Sequence, residues 1–162
     1  MRIWTERPTE IAYLLNPAFC GRLLYGTIRA YNDESQRCFP FPLVYLVLPL
    51  LLHKATRQSI SSRTQFLIWQ QQNEYRLVHF AERAKHLVQI TNEAVELLLQ
   101  AGYVSVNESG ELVATPTKRA LHKTKFADDE VKECVNKSEH IAKWFARAGR
   151  VETIFIALGV RP

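Results

Sequence analysis

Three cysteines and five histidines are the residues of this 162-residue sequence best suited to act as nucleophiles, bases or soft metal ligands. Cys20, Cys38 and Cys134 form no CxxC pair and have no neighbouring His pair, so they read as reduced thiols rather than a zinc set or a disulfide framework. A nucleophilic Ser or Cys needs a base held against it, and no GxSxG motif occurs. Cys20 falls at apolar helical spacing and reads as a small buried hydrophobe. His79 and His86 are two helical turns apart, about 10 Å, too far to ligate one metal. His53 and His122 stand beside Lys54 and Lys123 and read as surface or loop residues. The six glycines are scattered, with no GxxxxGK[ST] and no GxGxxG to cradle a phosphate. Carboxylates pair at Asp33-Glu34, in a polar stretch, and at Asp128-Asp129-Glu130, where a helix N-terminus favours negative charge. The expectation is a chain with no catalytic centre, no metal and no cofactor.

Lysine and arginine remain as candidates for phosphate chemistry. The net charge is +5, with 21 basic and 16 acidic side chains, and its placement matters more than its size. Residues 1–55 carry +2, residues 56–115 carry −1 and residues 116–162 carry +4. The densest cluster, Lys118, Arg119, Lys123 and Lys125, contains no acid. It reads as a solvated connection, or as a nonspecific contact to DNA phosphates or an acidic partner.

These residues must be carried by folded elements, and the composition allows them. Apolar residues make up 47% and charged residues 23%, as in a globular protein and unlike a disordered one. A single domain over 1–162 suits the length. No apolar h-region follows Met1, so a secretory leader is not expected. The most apolar run, Phe41 to Leu52, has 12 residues and two prolines, too short to span a bilayer and suited to a buried helix. The chain is expected to be soluble and cytoplasmic.

Proline at a first helical position predicts helices starting near Pro8 and, after Asn16, at Pro17, the latter with Phe19, Cys20, Leu23, Leu24 and Ile28 inward. Residues 32–42 read as an exposed loop. Pro49 is expected to kink the apolar helix or start a new turn. Ser61 or Ser62 is expected to cap a helix that carries Phe66, Leu67 and Trp69 inward. Leu77, Phe80, Ala81, Ala84, Leu87 and Val88 mark one amphipathic helix, and Thr91 can cap a second that Gly102 stops. Residues 103–106 and 111–114 then flank a glycine-bearing hairpin turn. Helix, turn, helix, hairpin is the order of a winged helix-turn-helix, and equally that of a helical pair with an incidental hairpin. A helix opening at Asp128-Asp129-Glu130 and closing at Gly149, then a short helix from Val151, complete the chain. The expected fold is mainly α, a helical domain with a winged-helix-like β-hairpin at 75–115.

A DNA-reading winged domain would place Lys, Arg, Asn or Gln on its second helix. Residues 92–101 carry Glu93 and Glu96 and no Lys or Arg, and the hairpin adds Glu108 and Glu111. An acidic reading head repels phosphate, so such a domain would bind protein more readily than DNA. A stand-alone DNA-binding regulator is kept as the alternative function.

The blocks Arg7-Pro-Thr-Glu-Ile-Ala-Tyr-Leu-Leu-Asn-Pro-Ala-Phe19 and Phe41-Pro-Leu-Val-Tyr-Leu-Val-Leu-Pro-Leu50 resemble the middle component of three-component ABC (ABC-3C) systems. So do His53-Lys-Ala-Thr-Arg57, Phe80-Ala-Glu-Arg-Ala84 and the ending Leu158-Gly-Val-Arg-Pro162. The resemblance spans nearly the whole chain. It implies a small accessory subunit of an SMC/RecN-like ABC ATPase, as in the similarly organised Lamassu anti-phage systems, bridging the ATPase to an effector such as a nuclease. It supplies no catalytic residues. DNA would be touched nonspecifically, within the complex.

On that expectation, the proline-stiffened blocks 7–19 and 39–57 are candidate contact surfaces, since preset backbone lowers the cost of ordering an interface. Arg7, Phe39, Phe41 and Arg57 are the candidate partner-binding residues, being of types enriched in binding hot spots. For Phe39 and Phe41 the plainer alternative is that each plugs the core.

Overall fold

A computed structural model of the chain describes residues 15–116 and 125–161. The helix expected from Pro8 falls outside them, as do Arg7, Lys118, Arg119, His122 and Lys123.

Helix α1 (Pro17–Ser35) starts as its sequence dictates: Asn16 Oδ1 accepts from the Ala18 amide at 2.8 Å, with Pro17 in the first position. Cys20, Leu23, Leu24, Ile28 and Tyr31 bury one face at helical spacing. The helix runs on through Asn32-Asp33-Glu34-Ser35 and a 3-10 turn starts at Phe41, so the loop expected over 32–42 is confined to residues 36–40. It stops where Gln36 adopts a left-handed φ of 55° and returns its amide to Asn32 O.

Two further long helices clasp α1. Helix α6 spans Phe80–Gln100 and helix α7 spans Asp129–Ala148. Close approach is possible at Gly26, where a β carbon would sit 3.0 Å from Ser138 Oγ and from Arg22 Nη1. One residue on, the Thr27 hydroxyl reaches Leu23 O at 3.0 Å and Ser138 O at 3.3 Å. Asp128 Oδ1 caps α7 through the Val131 amide at 2.9 Å, and Asp129 and Glu130 lie in its first turn.

The shorter helices fill the side of this core. After a 3-10 turn at Phe41–Leu43, α2 (Val44–Leu52) is buried on nearly every side, as an all-apolar helix must be. It passes through Pro49 and ends three residues later, where His53 turns extended and caps α3 (Lys54–Ser59). Helices α4 (Phe66–Gln72) and α5 (Glu74–Leu77) follow. Gln65, not Ser61 or Ser62, precedes α4; Ser61 instead accepts the Arg63 amide in the preceding turn. Phe66 and Trp69 point inward and pack at a tilt against Trp144, whose ring centroid lies 4.8 Å from that of Trp69, while Leu67 is 44% exposed. Helix α8 (Val151–Ala157) closes the described chain.

Residues 80–100 form one helix, and this corrects the expected pair. Thr91 caps nothing: it is buried in mid-helix and its hydroxyl bonds back to Leu87 O at 2.8 Å. A threonine satisfied by its own helix gives the backbone no reason to break. Leu77 lies before this helix, which opens after His79 at a left-handed φ of 64°. No helix-turn-helix therefore forms over 77–101.

The hairpin is present. Strands β1 (Val104–Val106) and β2 (Leu112–Ala114) pair antiparallel with Ser105 opposite Val113. Asn107 Oδ1 organises the turn by accepting the Ser109 and Glu111 amides, with Gly110 at a positive φ of 77°. This hairpin is no free wing. Phe39 and Leu112 exchange two backbone hydrogen bonds of 2.8 Å, and Asn32 Oδ1 accepts the Ala114 amide at 2.9 Å. The fold is mainly α with one two-stranded hairpin. Among the described residues no helix is long and apolar enough to cross a membrane.

Candidate partner-docking surface

The sequence-selected residues separate into buried and accessible ones. Phe39 is fully buried, edge-on to Tyr31 at 5.1 Å between ring centroids. Arg57 is 2% exposed. Both serve inside the chain, which corrects the expectation that they face a partner. For Phe39 the cause is its pairing with Leu112, which draws it under the hairpin. For Arg57 it is a pair of carboxylates. Its Nε donates to Glu133 at 2.9 Å, Nη2 to Glu130 at 2.6 Å and Nη1 to Leu51 O at 2.8 Å. Burial alone would lower the guanidinium's proton affinity, and hydrogen bonding to Glu133 and Glu130 more than reverses it, so the group stays cationic. The three bonds tie the end of α2 and the middle of α3 to the first turns of α7.

The thiols are equally internal. Burial pushes Cys20 up to about 12, and the same cause raises Cys134. Neither supplies a thiolate near neutral pH, which nucleophilic chemistry requires. Cys38 is partly exposed.

Phe41 behaves differently. It is half-buried and forms one wall of an apolar groove of about 550 Å³. Its ring leans on Tyr45 at 6.2 Å, and the Tyr45 hydroxyl is fixed by Asn92 Oδ1 at 2.7 Å. The opposite wall comes from α6, where Ala81, Ala84, Lys85 and Val88 share a face, and Phe155 and Val160 close the end. Among the described residues, Lys85 and Arg161 are the charged members of the lining and no carboxylate lines it. Such a groove can bury an apolar segment while its cations meet acidic flanks.

Phe41, a candidate from the sequence, lies on one wall of the groove; the residues of the other wall were not among the candidates. Ala81 and Val88 were expected to face the core with Phe80 and Ala84, but the apolar stripe is wider than one contact can cover. Phe80 and Ala84 are buried, Ala81 is exposed and Val88 is 39% exposed. That surplus width was the available signal. Of the basic cluster, Lys125 is the member among the described residues, and it is exposed.

No curated protein and no solved structure matches this chain. A family model described as "ABC-three component (ABC-3C) system Middle Component 3" matches residues 4–162. With nearly its whole length covered, the chain belongs to the Middle Component 3 family of ABC-three component systems.

Proposed function

We propose that this chain is a noncatalytic adaptor that joins an SMC/RecN-like ABC ATPase to an effector, such as a nuclease, in Lamassu-type anti-phage defence. Membership of a middle-component family supports protein partners as the setting of its function. The observation that carries the reading is the groove between Phe41 and Val88. It is open, apolar and rimmed by Lys85 and Arg161, and rigid elements set both of its walls. The paired, buried Arg57 and the protonated thiols support a structural role for the polar groups that otherwise invite a catalytic one.

The test is co-expression of the neighbouring genes with an affinity tag on this chain. Co-purification of the ATPase is expected from the parent, and its loss from Phe41→Asp and Val88→Glu with helical circular dichroism unchanged. Retention of the ATPase by both folded variants moves the docking surface elsewhere. Failure of the parent to retain any system component sinks the adaptor reading itself.

A further inference from the structure

A second depression, of about 400 Å³, lies between the 62–67 segment and the C-terminal half of α7. Its charge is of one sign. Arg63, Lys143 and Arg147 line it together with His140, and Ser62 and Thr64 add hydroxyl-bearing side chains; among the described residues no Asp or Glu lines it. Its floor is tied down, because the Trp144 indole donates to Thr64 O at 2.7 Å and its ring packs at a tilt against Phe66. Arg63 and Lys143 are exposed, with no ion pair shown for either among the described residues. Arg147 is held at the edge by Glu34, which accepts from Nη2 at 2.6 Å and Nε at 3.0 Å.

His140 shows that positive charge is crowded here. Its Nδ1 is buried without a hydrogen-bond partner among the described residues. Burial, then Lys137 and Lys143, hold the imidazole below its ordinary proton affinity, against a smaller opposite pull from Glu139. A bound anion would relieve that repulsion and give Nδ1–H an acceptor.

We infer that this cleft is a binding site for the phosphate backbone of nucleic acid. The arrangement of the cations suits a chain better than a single phosphate. Lys143 and Arg147 follow one another along α7, about 6 Å apart at 1.5 Å per residue, and Arg63 faces them across the cleft. A lone phosphate is held by donors that converge on one point, whereas cations strung along a ridge match successive phosphates. Cations that contact the backbone carry no base information, so binding is expected to be independent of sequence. The site shares no lining residue with the groove, and it does not depend on the adaptor role.

The test uses the full chain and a fluorescein-labelled oligothymidylate, with anisotropy read between about 50 and 200 mM salt. Arg63→Gln with Lys143→Gln is expected to weaken binding and to flatten the log–log salt slope by about 1.4, given roughly 0.7 per lost phosphate contact on a single strand. Replacing Lys118, Arg119 and Lys123 by Gln should leave that difference in place. An unchanged slope in the Arg63/Lys143 variant overturns the inference. So does complete loss of binding in the 118–123 variant alone. Competition by inorganic phosphate as strong as by the oligonucleotide, compared per phosphate, would assign the cleft to a small anion instead and also overturns it.

Discussion

The Arg57 guanidinium donates from Nε to Glu133 Oε2 across 2.9 Å, joining residues 76 positions apart. With Glu130 and Leu51 O it secures α7 to α3 and α2 at a place where Arg57 itself is 2% exposed. Deleting the cation leaves Leu51 O with only the weak Cys134 thiol donor at 4.0 Å and two carboxylates side by side, although Glu130 is 59% exposed and rehydrates readily. Arg57→Ala is expected to cost about 3 kcal/mol, the low end for breaking a buried pair. In a domain of this size that lowers Tm by about 6–12 °C in a calorimetric scan. Glu133→Gln should cost more than Glu130→Gln, because Glu133 is 30% exposed and less able to recover water. Equal Tm values for Arg57→Ala and the parent would show that the triad contributes nothing net.

His53 makes the next prediction one of pH. Its Nδ1 lies 2.7 Å from the Thr56 hydroxyl and caps α3 by accepting the Thr56 amide at 3.4 Å, a role open only to the unprotonated ring. Burial, with Arg83 and Arg76 behind it, holds its proton affinity below the ordinary 6.5, and burial does the same at His140. The unfolded chain therefore binds more protons than the native one just below pH 6.5. Stability is fully present above that value and falls as the solution is acidified, by at most about 1.4 kcal/mol per pH unit for each histidine. Urea midpoints at pH 7.5 and 5 should show the drop. His53→Asn keeps a capping acceptor and should retain only the share due to His140.

The same residues show what local sequence can and cannot reveal. Asn16-Pro17, Asp128 and Gly149 mark helix ends through contacts within a few positions, and the ends fall there. Thr91 was ambiguous because a threonine hydroxyl can cap a new helix or bond back within an old one, and packing chose the second. Phe39 lies in a polar, proline-flanked stretch whose partner, Leu112, belongs to a strand far along the chain. Arg57 is charged, and its burial becomes intelligible only when Glu130 and Glu133 arrive from α7. The groove required knowing which part of a wide apolar stripe finds a neighbour. Periodicity marks the stripe, and tertiary packing decides how much of it is covered.

Thiol chemistry gives a third prediction. Cys20 and Cys134 are buried, with Cys20 pushed up to about 12 and Cys134 raised in the same direction. At pH 8 a thiol reagent should modify Cys38 in the native chain and all three cysteines in denaturant. Raised thiol values make stability full below about pH 9, where the unfolded thiols ionise, and cause it to fall as pH rises toward 12. The buried Tyr25 and Tyr31 phenols, raised above 10.0 by burial, steepen that loss. Rapid native labelling of Cys20 at pH 8 would contradict its burial.

Asn32 should control the hairpin. Its Oδ1 accepts the Ala114 amide at 2.9 Å, and its Nδ2 donates to Arg37 O at 2.9 Å, so one side chain ties β2 and the turn after α1 together. Asn32→Ala removes both and strands a partly buried amide, an expected cost of about 1–2 kcal/mol. Amide exchange should accelerate at Ala114 and along β1 and β2, while α7 keeps its protection. Uniform acceleration throughout the chain would mean that the hairpin and the helices open together.

The groove's two chemistries should separate in binding kinetics. Lys85 is exposed at the rim and long-range in effect, whereas Phe41 supplies contact area that forms only after docking. Against the purified ATPase component, Lys85→Glu should slow association, with a difference that shrinks as salt rises, and leave dissociation nearly unchanged. Phe41→Ala should do the reverse, speeding dissociation by about tenfold or more if truncating the ring costs the 1.4 kcal/mol or more typical of a central aromatic anchor. Surface interferometry at two salt concentrations reads both. If Phe41→Ala changes association alone, the ring orders the free groove instead of gripping the partner. If Lys85→Glu is silent at low salt, the acidic flank inferred for the partner is absent.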